Sequence, residues 1–515
     1  MRHPIKNVVF IILDTLQFNY LGCYGNTVVK TPNFDKFAAE GLLFENAYSE
    51  GLPTIPVRRA VMTGRFTLPF GGWQPLSAED TTIADMLWGR NIETALIYDT
   101  APMRLPKYAY ARGFDYVKFC PGHEMDHITW KDTPKDPALK PEDFTAPVKV
   151  NILLMEVWDK DGNLIDDAST ALLEEIDCYL RFRQGWKSDA DSYVGVVARE
   201  AREWLVNRRD KKRPFLLWLD SFDPHEPWDP ASIWEKKPCP YDPEWDGNPL
   251  LLAPWTKVEG RISERECEHI RALYAEKVTQ CDAWIGRVVD TLKQEGLWDE
   301  TLVVIMSDHG QPMGNGKHGH GIMRKCRPWP YEELVHVPLL MHVPGTEGGR
   351  RISTFVQNVD VGATIMDAFG LLAPEAHLGT VLGIDAPRLD DVQGISLLPL
   401  ARGETDHVRD YVITGYCGMS WSIVDHDYSY IHWLNRDPSN AEFDELLENP
   451  YGDDGPSETI WTCTTGATQE VPSEDELYDR RTDPFQLHNI AAEQPEKARE
   501  LLKKLKASIG EIRIS

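Results

Sequence analysis

The run NVVFIIL, residues Asn7–Leu13, decides the fold, and it is followed directly by Asp14. An apolar, β-branched run without polar alternation is typical of a strand buried on both of its faces. The stretch is short, ends in an acid and lacks the small-residue cleavage site of a signal peptide. It therefore predicts the first strand of a covered sheet.

The same kind of strand recurs along the chain, separated by helical patterns. The further strands are predicted at Thr94–Ile97, Phe215–Leu219 and Leu302–Ile305, and the helices at Thr31–Gly41, Ser192–Asn207 and Ser263–Glu295. Alternating strands and helices predict an α/β fold, with a mostly parallel central sheet flanked by helices. Ligands of such sheets gather at the carboxyl ends of the strands, where Asp14, Asp220 and Asp308 fall.

The chain divides into a large and a small part. We expect a catalytic α/β domain over residues 1–394, with a polar insertion or lid at about 119–190. Short strands at Asp410–Ile413, Trp421–Val424 and Tyr428–Trp433 and a closing helix at about Pro495–Ile509 predict a smaller α+β domain over 395–515.

Composition restricts the possible partners. A net charge of −27 over 515 residues argues against a nucleic-acid surface, which needs clustered Lys and Arg. No apolar run approaches the roughly 20 residues that span a bilayer, so no membrane partner is expected. Nine cysteines without CxxC pairs favour free thiols and a cytoplasmic location.

The candidate metal ligands stand at strand ends. Asp308 and His309 follow the strand TLVVIM, and Asp14 follows NVVFIIL. Two carboxylates and an imidazole fit one divalent ion such as Mn, Zn, Mg or Ca. A capping Asp beside a surface His is the alternative reading of the Asp308-His309 pair.

The segment Pro53–Arg65 offers a nucleophile. Pro56 suits the first turn of a helix, which places Thr54 at the positive helix end, with Arg58 close behind. A hydroxyl beside a metal and this helix end is a plausible nucleophile. The alternative is that Thr54 only caps the helix.

Two loops supply further candidates. His225, in the loop Asp223–Trp228, could protonate a leaving group, or it is a structural loop histidine. The Gly-rich loop from Lys317 through His318 and His320 to Lys325 suits an anionic group, or it is a solvated basic loop.

Several ordered motifs resemble the sulfatase branch of the alkaline phosphatase superfamily. They cover nearly the whole chain outside the insertion: TPNFDKFAAEGLLFENAYS (31–49), SDHG (307–310), PYEELVHVPLLMHVPG (330–345), VDVGATIMDAFG (359–370) and ELYDRRTDPFQLHNIA (476–491). The resemblance implies an alkaline phosphatase-like fold and a metal-dependent ester hydrolase.

Two departures from the sulfatase pattern matter. Sulfatases carry Cys or Ser in a Cys-x-Pro-x-Arg frame that is converted to formylglycine, whereas this chain has Thr54-x-Pro56-x-Arg58. Threonine is not a substrate for that conversion, so no formylglycine is expected. Tyr98-Asp99-Thr100 replaces the usual Lys and His, and this resembles the phosphonate monoester hydrolase and phosphodiesterase subgroup.

That resemblance implies roles for individual residues. One divalent metal, manganese in the first instance, with Zn, Ca or Mg as alternatives, would be bound by Asp14, Asp308, His309 and Thr54. Arg58, His225 and Lys325 would act on the substrate, with Lys317, His318 or His320 as substitutes for Lys325. Tyr98, Thr100, His318 and His320 are the predicted substrate-binding residues.

Because a threonine ester must be cleaved by direct hydrolysis, we expect a small anionic phosphodiester or phosphonate monoester as substrate. The alternatives are a sulfuric ester hydrolase that works without formylglycine, a non-catalytic anion-binding protein, and a transferase to another alcohol. Relatives often assemble through the C-terminal region, so a homo-oligomer is a further expectation.

Overall fold

A computed structural model describes residues 5–514, apart from 124–133, 146–147, 152–155, 160–163, 166, 254–257, 260–261, 315–318, 326–328, 373–391, 435–471 and 473. Within these ranges, no helix combines the length and the apolar character that crossing a membrane requires.

The core of the molecule is an eight-stranded sheet. Its strands are β1 (Asn7–Leu13), β2 (Leu42–Tyr48), β3 (Glu93–Tyr98), β4 (Tyr116–Phe119), β8 (Phe215–Ser221), β9 (Thr301–Ser307), β10 (Leu339–His342) and β11 (Arg350–Gln357). Their order is β11-β2-β10-β9-β1-β8-β3-β4. Only β10 runs antiparallel to its neighbours, β2 and β9. The prediction of a mostly parallel sheet is confirmed.

Strand β1 shows why this sheet needs helices on both faces. Val9 and Ile11 belong to one buried apolar cluster, and Val8, Phe10 and Ile12 belong to another on the opposite face. Alternate side chains of a strand point to opposite faces, so a run that is apolar throughout has to be covered twice. Phe34 and Val197 lie in the first cluster and Val57 and Ile365 in the second, so segments outside the sheet cover both faces.

Helices pack on both faces of the sheet and in the connections. They are α1 (Pro32–Glu40), α2 (Thr54–Thr63), α3 (Ile83–Leu87), α4 (Asp167–Arg183), α5 (Tyr193–Glu203), α6 (Ala231–Trp234), α7 (Glu264–Gln294), α8 (Glu332–Val335), α9 (Asn358–Ala368), α10 (Leu398–Ala401) and α11 (Pro495–Ile514). The three helices predicted ahead of residue 300 are present as α1, α5 and α7.

The N-terminus of α1 is capped by a residue from a distant helix. Thr31 precedes α1, but its hydroxyl accepts from the Gly22 amide (2.8 Å) rather than from the helix. The first amides of α1 instead donate to the carboxylate of Asp282 on α7, with Phe34 N at 2.7 Å. A remote carboxylate at a helix N-terminus satisfies the free amides and the helix dipole together.

The predicted insertion contains regular structure. Its described residues include a small antiparallel sheet of β5 (Val148–Asn151), β6 (Glu156–Asp159) and β7 (Leu164–Ile165), followed by α4. Arg183, at the end of α4, forms a buried ion pair with Asp229. The insertion is therefore tied to the segment that follows His225.

The C-terminal part is a four-stranded antiparallel sheet covered by one helix. Its strands are β12 (Tyr411–Tyr416), β13 (Ser420–Asp425), β14 (Tyr428–Trp433) and β15 (Glu476–Asp479). Leu501 and Leu505 of α11 pack with Ile413 and Ile423 of the sheet. This confirms the smaller α+β unit, while the boundary at residues 394/395 stays a prediction.

The small sheet also contacts the chain that leads into α2. The Leu52 amide donates to the Gly415 carbonyl of β12 at 2.9 Å, and Leu52 forms an isolated parallel bridge with Tyr416. The residues just before Thr54 are thus held by a strand more than 360 positions later in the chain.

Candidate active site

Asp14, Asp308 and His309 meet at the carboxyl ends of two neighbouring strands. Strands β1 and β9 are parallel, and their last residues, Leu13 and Ser307, are paired. The three following side chains are fully buried, and one ligand atom from each lies within 4.8 Å of the others. The structure therefore brings together three of the four predicted metal ligands.

The ring of His309 is oriented for metal binding. Its Nδ1 lies 2.8 Å from the Gly310 carbonyl, which can only accept, so Nδ1 carries the proton. The lone pair on Nε2 then faces Asp308 Oδ2 at 3.7 Å and Asp14 Oδ1 at 3.8 Å. Burial, together with the Lys325 charge, lowers the pKa of His309 to about 4, which keeps the ring in its neutral, ligating form.

The pKa values of the two carboxylates are shifted in opposite directions. Burial, reinforced by the charge of Asp308, raises the pKa of Asp14 well above its ordinary value. Burial acts in the same direction on Asp308, but His309 and Arg58 hold the pKa of Asp308 below its ordinary value. Asp14 Oδ2 accepts no hydrogen bond among the described residues, although Arg58 Nη1 is 3.2 Å away. An under-satisfied carboxylate, a second carboxylate and a neutral imidazole are donors that fit a divalent cation.

Thr54 is the first residue of α2 and is fully buried. Its hydroxyl oxygen lies 3.5 Å from His309 Nε2 and accepts a hydrogen bond from Lys325 Nζ at 3.1 Å. The hydroxyl therefore stands between the metal ligands and a cation, at the positive end of a helix. This is the environment that favours an oxyanion over a neutral alcohol.

Arg58 lies one helical turn after Thr54, on the same face of α2. Its Nε and Nη2 donate to Asp220 at 2.9 and 2.8 Å, and its Nη1 donates to Asp308 Oδ2 at 2.7 Å and to the Thr54 carbonyl at 3.1 Å. Nη2 also lies 3.4 Å from the Thr100 hydroxyl. All five N–H groups thus face protein acceptors. Arg58 therefore links the first turn of α2 to Asp220 and Asp308.

Asp220 is the residue that positions Arg58, and the sequence pattern predicts no role for it beyond its location at a strand end. It stands near the end of β8, paired with Ile12 of β1 on one side and Tyr98 of β3 on the other. Besides Arg58, its carboxylate accepts from the Thr100 hydroxyl at 2.5 Å and from the Trp218 indole at 3.2 Å. Its position at a strand end was the only signal in the sequence.

His225 and Lys325 stand on loops joined by a buried ion pair. Their chain neighbours, Glu226 and Arg324, form it, with Arg324 Nε donating to Glu226 Oε1 at 2.7 Å. Gln311 adds a third loop, since its Nε2 donates to Glu226 Oε2 at 3.2 Å and to the Met323 carbonyl at 3.1 Å. Sequence analysis missed this pair, although each member adjoins a predicted catalytic residue.

The remaining predicted substrate contacts are placed as follows. Tyr98 is buried against Phe119, with ring centroids 5.1 Å apart, and burial raises its pKa to about 12. Thr100 is fully buried and serves the Arg58–Asp220 pair. Both positions favour structural roles.

In the Gly-rich loop, the His320 ring stacks on Tyr331 with centroids 3.6 Å apart. Lys317 and His318 lie outside the described residues. Of this loop, the structure brings Lys325 to the predicted nucleophile, with Nζ 3.1 Å from the Thr54 hydroxyl oxygen.

Comparison with known proteins decides the family. The sequence model described as Sulfatase matches residues 6–371, which include Asp14, Thr54, His225, Asp308 and Lys325. This chain belongs to the sulfatase family.

Curated relatives of this sulfatase-family chain are similar over most of its length. It is 25% identical to an arylsulfatase of Clostridium perfringens, over 79% of this chain and 80% of that protein. It is 24% identical to arylsulfatase K of Bos taurus, over 99% of this chain and 82% of that protein.

Solved structures support the fold. The protein BT4656, in complex with its substrate D-glucosamine-2-N,6-O-disulfate, matches with a TM-score of 0.60 and 20% identity, over 99% of both chains. The phosphonate monoester hydrolase of Agrobacterium radiobacter matches with a TM-score of 0.63 and 19% identity, over 98% and 96%. At these identities the likeness shows the sulfatase and alkaline phosphatase fold alone.

These comparisons correct one prediction. The expectation of a phosphodiester or phosphonate monoester substrate is wrong, because the curated relatives that span the chain are named sulfatases. That expectation depended on Thr54 and on the Tyr98-Asp99-Thr100 segment, in which Tyr98 and Thr100 are buried. The alternative of a sulfuric ester hydrolase fits the relatives better.

Proposed function

We propose that this protein hydrolyses sulfate monoesters, with Thr54 as the nucleophile and without formylglycine. The observation that carries the proposal is the position of the Thr54 hydroxyl, 3.1 Å from Lys325 Nζ and 3.5 Å from His309 Nε2. The names of the curated relatives support sulfate as the transferred group.

One divalent cation, with manganese as our first choice, would be held by Asp14, Asp308 and His309, with the Thr54 hydroxyl as a further ligand. When bound, such an ion polarises the oxygens it contacts and lowers the pKa of a hydroxyl. Lys325 Nζ also lies 3.5 Å from Asp14 Oδ1 and 3.3 Å from His309 Nε2. The Asp14 and His309 side chains therefore already stabilise one positive charge, that of Lys325.

The charge balance of the site suits a monoanion. Three buried carboxylates, Asp14, Asp220 and Asp308, face two cations, Arg58 and Lys325. A divalent ion brings the formal charge of this group to one positive unit. A sulfate monoester carries one negative charge and neutralises it, whereas a phosphate monoester dianion would leave an excess of negative charge in a buried site.

In the first step, Thr54 Oγ forms a bond to sulfur while the bond between sulfur and the ester oxygen breaks. Lys325 Nζ contacts the attacking oxygen and can relay the proton of the Thr54 hydroxyl to the departing oxygen. Arg58 keeps Asp308 and the first turn of α2 in place during this transfer. The products are the free alcohol and a sulfated Thr54.

The test is turnover of 4-nitrophenyl sulfate by protein that has been stripped with a chelator and reloaded separately with Mn²⁺, Zn²⁺, Ca²⁺ or Mg²⁺. We expect activity to vanish on stripping and to return with at least one ion, and bis(4-nitrophenyl) phosphate to react more slowly. If no ion supports sulfate release from this or from sulfated-sugar substrates, the proposal is wrong and a non-catalytic anion-binding role takes its place.

A further inference from the structure

His225 presents an unused acceptor. Its Nδ1 lies 2.6 Å from the carbonyl oxygen of Glu226, and a carbonyl can only accept, so the Nδ1 atom carries the proton. In the neutral ring, Nε2 then holds a lone pair. This Nε2 is buried and has no hydrogen-bond partner among the described residues.

The surroundings of His225 keep the ring neutral. It stacks on Phe222, with centroids 4.2 Å apart, and Lys325 and Arg324 place two positive charges nearby. The Glu226 carboxylate is 3.6 Å from Nδ1 but is neutralised by Arg324. Burial and then the Lys325 charge lower the pKa of His225 well below its ordinary value, and the His123 charge acts in the same direction.

A neutral ring of this tautomer cannot donate a proton from Nε2. To protonate a leaving oxygen, as the sequence suggested, His225 would first have to gain a second proton beside two cations. The neutral ring can accept a proton at Nε2 without any prior change. His225 therefore suits a step of the reaction in which a proton is removed from the attacking group.

That step follows from the identity of residue 54. A sulfated threonine has no second hydroxyl, so it cannot release sulfate by collapsing to an aldehyde. Water must attack sulfur directly, and an attacking water needs a proton acceptor.

The other bases of the site are committed. Asp14, Asp308 and His309 would hold the cation, and the Asp220 carboxylate is surrounded by donors from Arg58, Thr100 and Trp218. Glu226 is paired with Arg324 and Gln311.

We propose that His225 Nε2 is the general base that activates the water which hydrolyses the sulfated Thr54. The inference rests on the proposed function and assigns its second step. One proton of the water goes to His225 Nε2 as its oxygen bonds to sulfur, and the bond between sulfur and Thr54 Oγ breaks. Lys325 returns a proton to Thr54 Oγ, and hydrogen sulfate leaves with the second proton of the water. His225 then loses its proton to solvent, from which Lys325 is reprotonated.

The experiment is rapid-mixing kinetics of the metal-loaded full chain with 4-nitrophenyl sulfate, for the wild type and His225→Asn. The asparagine amide can still donate to the Glu226 carbonyl but has no group at the Nε2 position. Because the proton of the Thr54 hydroxyl passes through Lys325 and not through His225, the first step should be little affected. We expect a burst of one equivalent of nitrophenolate per site, then a steady rate about 10²–10⁴-fold below wild type.

Mass spectrometry of the quenched variant should show one added sulfuryl group on the peptide that contains Thr54. Thr54→Val should remove both the burst and the added mass. His407→Asn, a change of the same type at an exposed ring, should leave both phases as in the wild type. If His225→Asn proves unfolded by circular dichroism, His225→Gln is measured instead.

Two results would overturn the inference. A variant that is slow without a burst would place His225 in the first step, and a variant with normal steady turnover would show that His225 is not the base of the second step. Failure of the proposed function is recognised separately, since the wild type would then release no sulfate.

Discussion

The two halves of the active site are held in place by different means. The strand-end half consists of Asp14, Asp220, Asp308 and His309, which follow or end parallel strands of the central sheet. The loop half consists of His225 and Lys325, whose loops are joined by the Glu226–Arg324 ion pair. Backbone pairing fixes the first half, whereas buried side-chain contacts, namely the Glu226–Arg324 ion pair and the Gln311 amide, couple the second.

This difference explains which residues of an active site can be predicted from sequence. Neighbouring parallel strands bring their last residues together whatever those residues are, so apolar runs followed by acids predict a cluster. No comparable rule predicts which loop residues lie close together. Their geometry depends on side chains that meet only in the folded chain.

The largest expected effect concerns Thr54, the proposed nucleophile. Its hydroxyl lies near His309 of the strand-end half and Lys325 of the loop half. Thr54→Val keeps the branched shape and removes the hydroxyl, so sulfate ester turnover should fall at least about 10³-fold. Steady-state kinetics with 4-nitrophenyl sulfate measures it. Thr63→Val is the matched control, because that hydroxyl donates only within the same helix, to the Arg59 carbonyl. Unchanged turnover in Thr54→Val would remove Thr54 from the mechanism.

The next prediction tests the strand-end half. Asp220→Asn weakens the grip on Arg58, and a misplacement of about 1 Å near the nucleophile should lower kcat about 10²-fold. Asp80→Asn is the control, since Asp80 forms the same kind of buried pair with Arg59, the next residue of α2. Both variants should lose stability in urea unfolding, but only Asp220→Asn should lose kcat. Equal losses of kcat would show that Asp220 has no special role in positioning Arg58.

The loop half is tested by a double-mutant cycle. Glu226→Gln and Arg324→Gln each leave one buried charge without its partner, and each should cost roughly 3–5 kcal/mol of unfolding free energy. The double variant leaves neither charge and should cost clearly less than the sum. Additive losses in urea unfolding would mean that the ion pair does not couple the two loops.

The smallest expected effect concerns His342, which lies outside both halves of the site. It serves as a reference for a stability change that does not involve catalysis. His342 on β10 is paired with Val303, toward the opposite end of β9 from Asp308, and stacks on Trp298. Burial lowers its pKa from 6.5 to about 4. The unfolded chain therefore binds a proton at a higher pH than the folded protein does. The stability contributed by neutral His342 is complete above pH 6.5 and falls toward pH 4, by about 1.4 kcal/mol per pH unit.

Urea unfolding of the wild type and of His342→Gln between pH 7 and pH 4.5 measures this contribution. As the pH falls, the unfolding free energy of the wild type should decrease more than that of the variant. A difference that does not change with pH would show that His342 is protonated equally in both states.

Much of the architecture was predictable, and specific residues show where prediction stopped. NVVFIIL predicted a doubly covered strand and thereby the sheet, and the acids after two such strands predicted the metal ligands. The antiparallel direction of β10 and the remote cap of α1 by Asp282 were not predictable, because each depends on a distant segment.

The candidate site shows the same limit. Arg58 is a predicted substrate contact, and its five N–H groups all face protein acceptors, which only the folded geometry reveals. The error in substrate class has a similar origin. Thr54 and the Tyr98-Asp99-Thr100 segment indicated a phosphodiesterase subgroup, whereas the match over most of the chain indicates the sulfatase family.

The pairing of Leu52 with Gly415 and Tyr416 has a consequence for biosynthesis. While the chain is being made, the segment before the nucleophile emerges long before its partner strand. A nascent chain that ends before residue 415 therefore lacks the hydrogen bond that holds Leu52. Competence for catalysis should thus arise late in translation, once the small sheet has been made.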